Sequence, residues 1–390
     1  MTDAGPRSFW NRDLLLGLLG YFFLFMAVSL FFLFPVVLET FGPTKGRIGL
    51  IMGVHSVVAI AIRPLFGRMI DVRGGRRFAL LGLFLLLASV PFFHFVDDAG
   101  WLPFLLRAFA GLGWGISMTA TIAMCSDLAP VDRLAKSMGV IGVAGLVANA
   151  LGPLLAEELL RGGGGADRLY NASVLFLLAS LGCILLTREI VRPDDGGRVG
   201  GMKVLRLVPW ALAAVVASVP VFHGAIRGAM IYFIAVFGNE AGIGRVGPFF
   251  LVFSIAAILT RFRLGDLSDR RGRKTVILPA ALIIAGNLFV IAEVRSFPLL
   301  MVTGFVGGLG QGLIFPALST YIIDFLGREN KGLAISLYNS LFDVGMGLGS
   351  PVFGWVSDRA GYRWMYRVAG LCLLVSTAVF MLKAPITEKK

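Results

Sequence analysis

Apolar residues fall in runs of about twenty or more, separated by short clusters of charge, glycine and proline. A helix needs about 20 residues to cross a hydrocarbon core of about 30 Å. Lipid offers nothing for an open backbone to hydrogen-bond, so each such run has to be helical. The runs predict helices at 13–38, 47–70, 77–96, 102–126, 134–159 and 168–190, and again at 208–237, 244–267, 274–293, 298–325, 331–356 and 364–383. Strands of a membrane barrel would be shorter and would alternate polar with apolar positions. These do not. The pattern predicts an all-α integral membrane protein with twelve transmembrane helices in two six-helix bundles, 1–191 and 208–390. A linker at 192–207, rich in Pro, Asp, Gly and Arg, joins them as a solvated hinge.

Composition agrees. The 390 residues are 57% hydrophobic and only 15% charged, too little charge to cover a soluble surface of that size. The net charge of +13 would fit a nucleic-acid binder if the cations formed one patch. Instead they gather at alternate helix ends: Arg73, Arg76 and Arg77; Arg133 and Lys136; Arg270, Arg271, Arg273 and Lys274; Arg328 and Lys331; Lys389 and Lys390. The intervening loops carry Asp97, Asp98, Glu157 and Glu158, which places both termini in the cytoplasm. The expected location is a bacterial inner (plasma) membrane. No nucleic-acid partner is expected. Cys125, Cys183 and Cys372 have neither zinc-ligand nor disulfide spacing and read as small core residues. No metal or cofactor is expected, and the first apolar run is too long for a cleaved leader.

The chain repeats itself. Arg63-Pro-Leu-Phe-Gly67-Arg-Met-Ile-Asp71-Val-Arg-Gly74-Gly75-Arg76-Arg77 closes the second helix, and Arg261-Phe-Arg-Leu-Gly265-Asp-Leu-Ser-Asp269-Arg270-Arg-Gly272-Arg273-Lys274 closes the eighth. Gly111-Leu-Gly113-Trp-Gly115 is echoed by Gly308-Leu-Gly310-Gln311-Gly312, and Gly152-Pro153 by Gly349-Ser350-Pro351. Two matched halves of this kind imply pseudo-symmetry, a site at their interface and alternating access around it.

These motifs resemble the major facilitator superfamily over essentially the whole chain, its bacterial drug and small-molecule exporters above all. The second loop copy, from Gly265 to Lys274, fits that family's loop signature fully, whereas the first has Val72 in the basic position and an extra glycine. The resemblance implies the major facilitator fold. It also implies a loop latch on the cytoplasmic side, formed by Arg63, Gly67, Asp71, Gly74, Arg76 and Arg77 and by Arg261, Gly265, Asp269, Arg270, Gly272 and Arg273. Gly145-Leu-Val-Ala148-Asn149-Ala-Leu-Gly152-Pro153 is similar to the fifth-helix signature of the family's antiporters, with Ala148 in place of a glycine. Proline there bends the helix and frees a carbonyl.

Charged residues inside apolar runs are the candidates for function, since intramembrane charge is costly without a role. Arg107 sits in the fourth run at a spacing that resembles the family's membrane arginine. His223 and Arg227 lie one turn apart on the seventh helix, a titratable ring beside a fixed cation. Asp343 lies near the middle of the eleventh, with Asn339 one turn earlier. A carboxylate there needs a proton or a cationic partner. Tyr21, Asn149, Gln311 and Tyr338 are candidate polar cavity residues. Glu39, Glu157 and Glu158, near helix ends, are expected to be solvated.

The expected function is a monomeric secondary transporter of a small organic solute, anionic or zwitterionic, by proton-coupled export (antiport). Arg107, Arg227, Tyr21, Asn149, Gln311 and Asn339 would bind the solute; Asp343 and His223 would carry the proton. Proton-coupled uptake (symport) of an organic anion is the alternative. A lipid enzyme would need a nucleophile–base pair or metal ligands, and His55, His94 and His223 are scattered over separate helices. A non-transporting receptor would bind without flux.

Overall fold

A computed structural model describes residues 11–129, 134–163, 165–190, 209–264, 267–327 and 331–385. The linker at 192–207 and Gly265 lie outside the described residues, as do the side chains of Asp71, Asp269 and Arg270.

The described residues are mostly helical. Helix α1 (Arg12–Leu30) passes through a 3-10 turn at Phe31–Leu33 into α2 (Phe34–Glu39), followed by α3 (Lys45–Arg73) and α4 (Gly75–Ser89). Next come α5 (Trp101–Leu128), α6 (Leu134–Arg161) and α7 (Gly165–Leu185). The second half holds α8 (Trp210–Glu240), α9 (Gly247–Leu264), the short α10 (Leu267–Arg271), α11 (Arg273–Ile291), α12 (Phe297–Leu326) and α13 (Lys331–Lys383). Among the described residues, 11 helices are long and apolar enough to cross a membrane. The runs predicted at 331–356 and 364–383 are continuous in α13, which leaves helical geometry at Gly361 (φ 80, ψ 167).

Local chemistry sets the helix starts. The Asn11 carboxamide accepts the Leu14 N–H at 2.7 Å and so satisfies one of the orphan donors of α1. Gly74 and Gly272, at the same place in the two loop copies, precede α4 and α11 with φ 92 and φ 93. A side chain is strained in that backbone region, which is why the repeat keeps glycine there. The basic residue two positions on repeats a job as well. Arg76 donates to the carbonyls of Ile184 and Leu185 at the end of α7, and Lys274 donates to those of Met381 and Ala384 at the end of α13. A cation at a helix C-terminus meets the negative end of the dipole.

The chain forms two compact units: Met1–Phe34 with Val58–Asp194, and Pro35–Val57 with Asp195–Lys390. Helix α3 therefore gives its first part to the second unit and its remainder to the first.

Many large apolar side chains point outward, such as Phe84, Phe95, Leu175 and Phe262. In lipid their exposure carries no penalty, so the helices are held by close van der Waals contact and buried hydrogen bonds instead. In the first unit, Phe31, Phe34, Phe93 and Tyr170 form an aromatic core, with Phe31 and Phe93 4.9 Å apart. In the second unit, α8 and α13 approach until backbones touch. A Cβ on Gly224 would lie 1.8 Å from the Phe342 carbonyl oxygen, and one on Gly345 1.9 Å from that of Val221.

One expectation is corrected. Glu157 is buried, not solvated, and lies 3.4 Å from Arg161 one turn later. The helix end carries its own counter-charge, so the carboxylate stays inside; Glu158 is exposed.

Candidate functional site

In the second unit, α8 carries His223 and Arg227 on one face, one turn apart and both buried. Helix α12 brings Gln311, also buried, against His223, with Nε2 2.8 Å from Oε1. A carbonyl oxygen only accepts, so Nε2 carries the hydrogen. Nδ1 of the same ring is buried and has no partner. The imidazole packs against Phe342 of α13 with centroids 5.2 Å apart.

The Arg227 guanidinium lies over the Phe253 ring at 4.4 Å, and Arg261 of α9 over Phe315 at 5.0 Å. The two guanidiniums are within electrostatic range of each other, and Arg261 is within range of Tyr338 on α13. Tyr338 is buried, and its hydroxyl has no partner. Asp343 and Asn339, further along α13, are half-buried, and Asp343 has a partner. The structure thus brings His223, Arg227, Gln311 and Arg261 together. Arg261, expected in the loop latch, stacks inside the unit on an α12 side chain.

In the first unit, Arg107 is buried in α5 with its guanidinium 5.8 Å from the Phe31 centroid. Tyr21 is buried in α1 against Phe25 at 4.6 Å, and Phe25 meets Trp114 of α5 at 4.7 Å. Asn149 is half-buried on α6. Pro153, four residues on, has no N–H for the Asn149 carbonyl. A Cβ on Gly152 would sit 1.9 Å from Ser29 Oγ, which donates to the Ala148 carbonyl at 3.0 Å. Arg63 donates to the Met118 sulfur at 3.3 Å. Gly67 is half-buried in α3, with open space around it.

The remaining loop residues bind within their own units. Arg77 pairs with Glu189 at 2.9 Å, and Arg273 with Asp324 at 2.8 Å. Among the described residues no His, Cys, Asp or Glu group has the arrangement to hold a metal ion.

Sequence reasoning missed the contribution of Phe253 and Phe315, which carry no polar signal, and the interior position of Arg261. The signal for Arg261 was available: it stands one turn before Gly265, inside the apolar run.

The family model described as Major Facilitator Superfamily matches residues 17–294 and 249–390. The chain belongs to the major facilitator superfamily. An export protein and a multidrug resistance protein are among its curated relatives. The staphylopine export protein of Staphylococcus aureus is 23% identical over 93% of this chain and 95% of the relative. The multidrug resistance protein MdtG of Citrobacter koseri is 28% identical over 96% of this chain and 95% of the relative. Among solved structures, the nucleoside transporter NupG superposes with a TM-score of 0.81 at 14% identity, covering 95% of this chain and 99% of that one. The fold is thus that of a superfamily transporter. This member is a multi-pass membrane transporter of a small molecule, not an enzyme.

Proposed function

We propose that the protein is a proton-coupled exporter (antiporter) of a small organic solute, working by alternating access as a monomer in a bacterial inner membrane. The observation that carries this reading is similarity along nearly the whole chain to a staphylopine export protein and a multidrug resistance protein, over 93% and 96% of it. Both termini lie in the cytoplasm, a reading supported by the alternation of cationic loops. Twelve passages are favoured over eleven. The 53 residues of α13 would run to about 80 Å at about 1.5 Å each, far more than a core of about 30 Å needs. The break at Gly361 divides them into two.

Arg107 and Arg227 contact an anionic or zwitterionic group of the solute, with Tyr21, Asn149, Gln311 and Asn339 as further polar walls. His223 and Asp343 carry the coupling proton. Support for His223 comes from its ring, tied to Gln311 on one side and bare at a buried Nδ1 on the other. The loop residues from Arg63 to Arg77 and from Gly265 to Arg273 gate the cytoplasmic side, and Gly152 and Pro153 bend α6.

Proteoliposomes loaded with a candidate solute and given an inward proton gradient test the scheme. Solute should leave against its own gradient, and His223→Gln or Asp343→Asn should abolish the dependence on the proton gradient. Accumulation in place of extrusion would establish symport, and gradient-driven flux unchanged in both variants would remove the proton carriers.

A further inference from the structure

Three buried polar atoms of the second unit stand without a hydrogen-bond partner, beside a buried arginine that makes no hydrogen bond among the described residues. Arg227 is 8% exposed and has its ring contact with Phe253 but no hydrogen bond or carboxylate among the described residues. The Nε of Arg261, the hydroxyl of Tyr338 and Nδ1 of His223 are each buried without a hydrogen-bond partner. They are not scattered. Arg227 lies within electrostatic range of both His223 and Arg261, and Arg261 of Tyr338.

Buried polar atoms in native structures are paired in nine cases of ten or more. A guanidinium inside a membrane helix without a counter-charge is costlier still. A packing role would provide Arg227 and Arg261 with carboxylates, as Arg273 has in Asp324. What they have is one aromatic face each. Stacking on Phe253 and Phe315 holds the planar guanidinium by its face and leaves its N–H edge free. An edge so presented matches a planar oxyanion, which accepts two parallel N–H bonds.

We propose that Arg261 belongs to the solute site, where it and Arg227 together bind a carboxylate-bearing organic solute. Tyr338 supplies a third donor to the same oxyanion. This deepens the transport reading and rests on it for the word solute, but it assigns Arg261 a binding role, not a latch role, and fixes the chemical class of the ligand.

The test uses the purified full chain in detergent and reads binding as a thermal shift. The probes are benzoate and succinate, each set against its neutral amide, benzamide or succinamide. The expected result is stabilisation of the wild type by at least one carboxylate and by neither amide. Arg261→Gln should weaken that carboxylate at least tenfold, and Arg261→Lys, which keeps the charge but loses the planar fork, should fall between. Without probe, neither Arg261→Gln nor Arg227→Gln should melt below the wild type, because each removes an uncompensated charge. Carboxylates acting no better than amides would overturn the proposal. So would undiminished carboxylate binding in Arg261→Gln, or a fall of several degrees in its probe-free melting point. Carboxylate binding without flux in proteoliposomes would sink the transport reading and leave the anion site standing.

Discussion

The two units build the same helix crossing from different materials. In the first, α1 meets α6 where Gly152 faces Ser29, and the hydroxyl bridges to the Met26 and Ala148 carbonyls at 3.1 and 3.0 Å. In the second, the counterpart crossing sets Gly349 against Ala225, with Gly224 and Gly345 pressed onto backbone carbonyls. One crossing is stitched by a hydrogen bond from Ser29 to the facing helix; at the other, the described residues meet through close contact. The arginines differ in the same sense. Arg63 and Arg261 stand at matching repeat positions and reach matching residues, Met118 and Phe315. Arg63 donates to a sulfur and has a further partner, whereas Arg261 keeps a bare Nε over a ring. The lesson is that an internal repeat conserves the frame and lets the contents diverge, and uncompensated polarity concentrates in the second unit.

The largest expected effect comes from breaking the bare crossing. Gly224→Ala puts a methyl 1.8 Å from a carbonyl that its own helix holds in place, so α8 and α13 have to separate. Overpacking of this kind costs about 3 kcal/mol, more than the ~1 kcal/mol that Ala gains over Gly in a helix. Gly152→Ala meets the Ser29 Oγ at 1.9 Å and its Cβ at 2.7 Å, and Ser29→Ala removes the closer of these two contacts and should relieve part of the clash. Melting points of the two single variants and of the Gly152→Ala/Ser29→Ala double should therefore show rescue in the first unit. Ser29→Ala should do nothing for Gly224→Ala. If the double melts no higher than Gly152→Ala alone, the stitched crossing is as rigid as the bare one and the contrast fails.

How far this was legible in the sequence follows from which forces are local. Helix positions were readable to within a few residues because the bilayer imposes a length on every apolar run. Gly74 and Gly272 were readable because one backbone conformation admits little else. Partner choice was not. Nothing in residues 35–57 announces that they cluster with residues after 195, since the contacts depend on glycines and carbonyls that carry no pattern of their own. Glu157 was misplaced because its counter-charge at Arg161 was ignored. Arg261 was grouped with the loop residues because it shares the repeat register of Arg63, and that register carries no sign of the ring it stacks on.

A smaller effect tests how α3 is tied to the second unit. The Asp358 carboxylate accepts the Lys45 and Gly46 N–H groups at 2.6 and 2.8 Å and thereby caps the start of α3. Lys45 Nζ, in turn, lies 2.8 Å from Glu240 and 3.9 Å from the Tyr362 ring centroid. Asp358→Ala should cost about 1 kcal/mol, the usual loss for a helix cap. Lys45→Met, which breaks a partly exposed pair, should cost about 0.5 kcal/mol. Denaturation midpoints in detergent measure both. The reverse order would mean that the ion pair, not the cap, fastens α3.

The smallest effect lies at the loop between α11 and α12. Glu293 accepts a hydrogen bond from Arg367, which is the main reason its carboxyl is held below the ordinary 4.5, with the charges of Arg363 and Arg295 adding to the effect. Because the folded state binds this proton less readily than the unfolded state, the interaction contributes in full above pH 4.5 and is lost as pH falls through the lowered value. The pair is exposed and salt-screened, so the contribution is small. The melting-point difference between wild type and Glu293→Gln should be constant from neutral pH down to about 5 and should shrink on further acidification. The Arg367→Gln variant should show the same flattening, because it removes the donor that sets the shift. A difference that persists unchanged through the acid range would assign the stabilisation to packing on Trp364, whose ring centroid lies 5.0 Å from the Arg367 guanidinium, and not to charge.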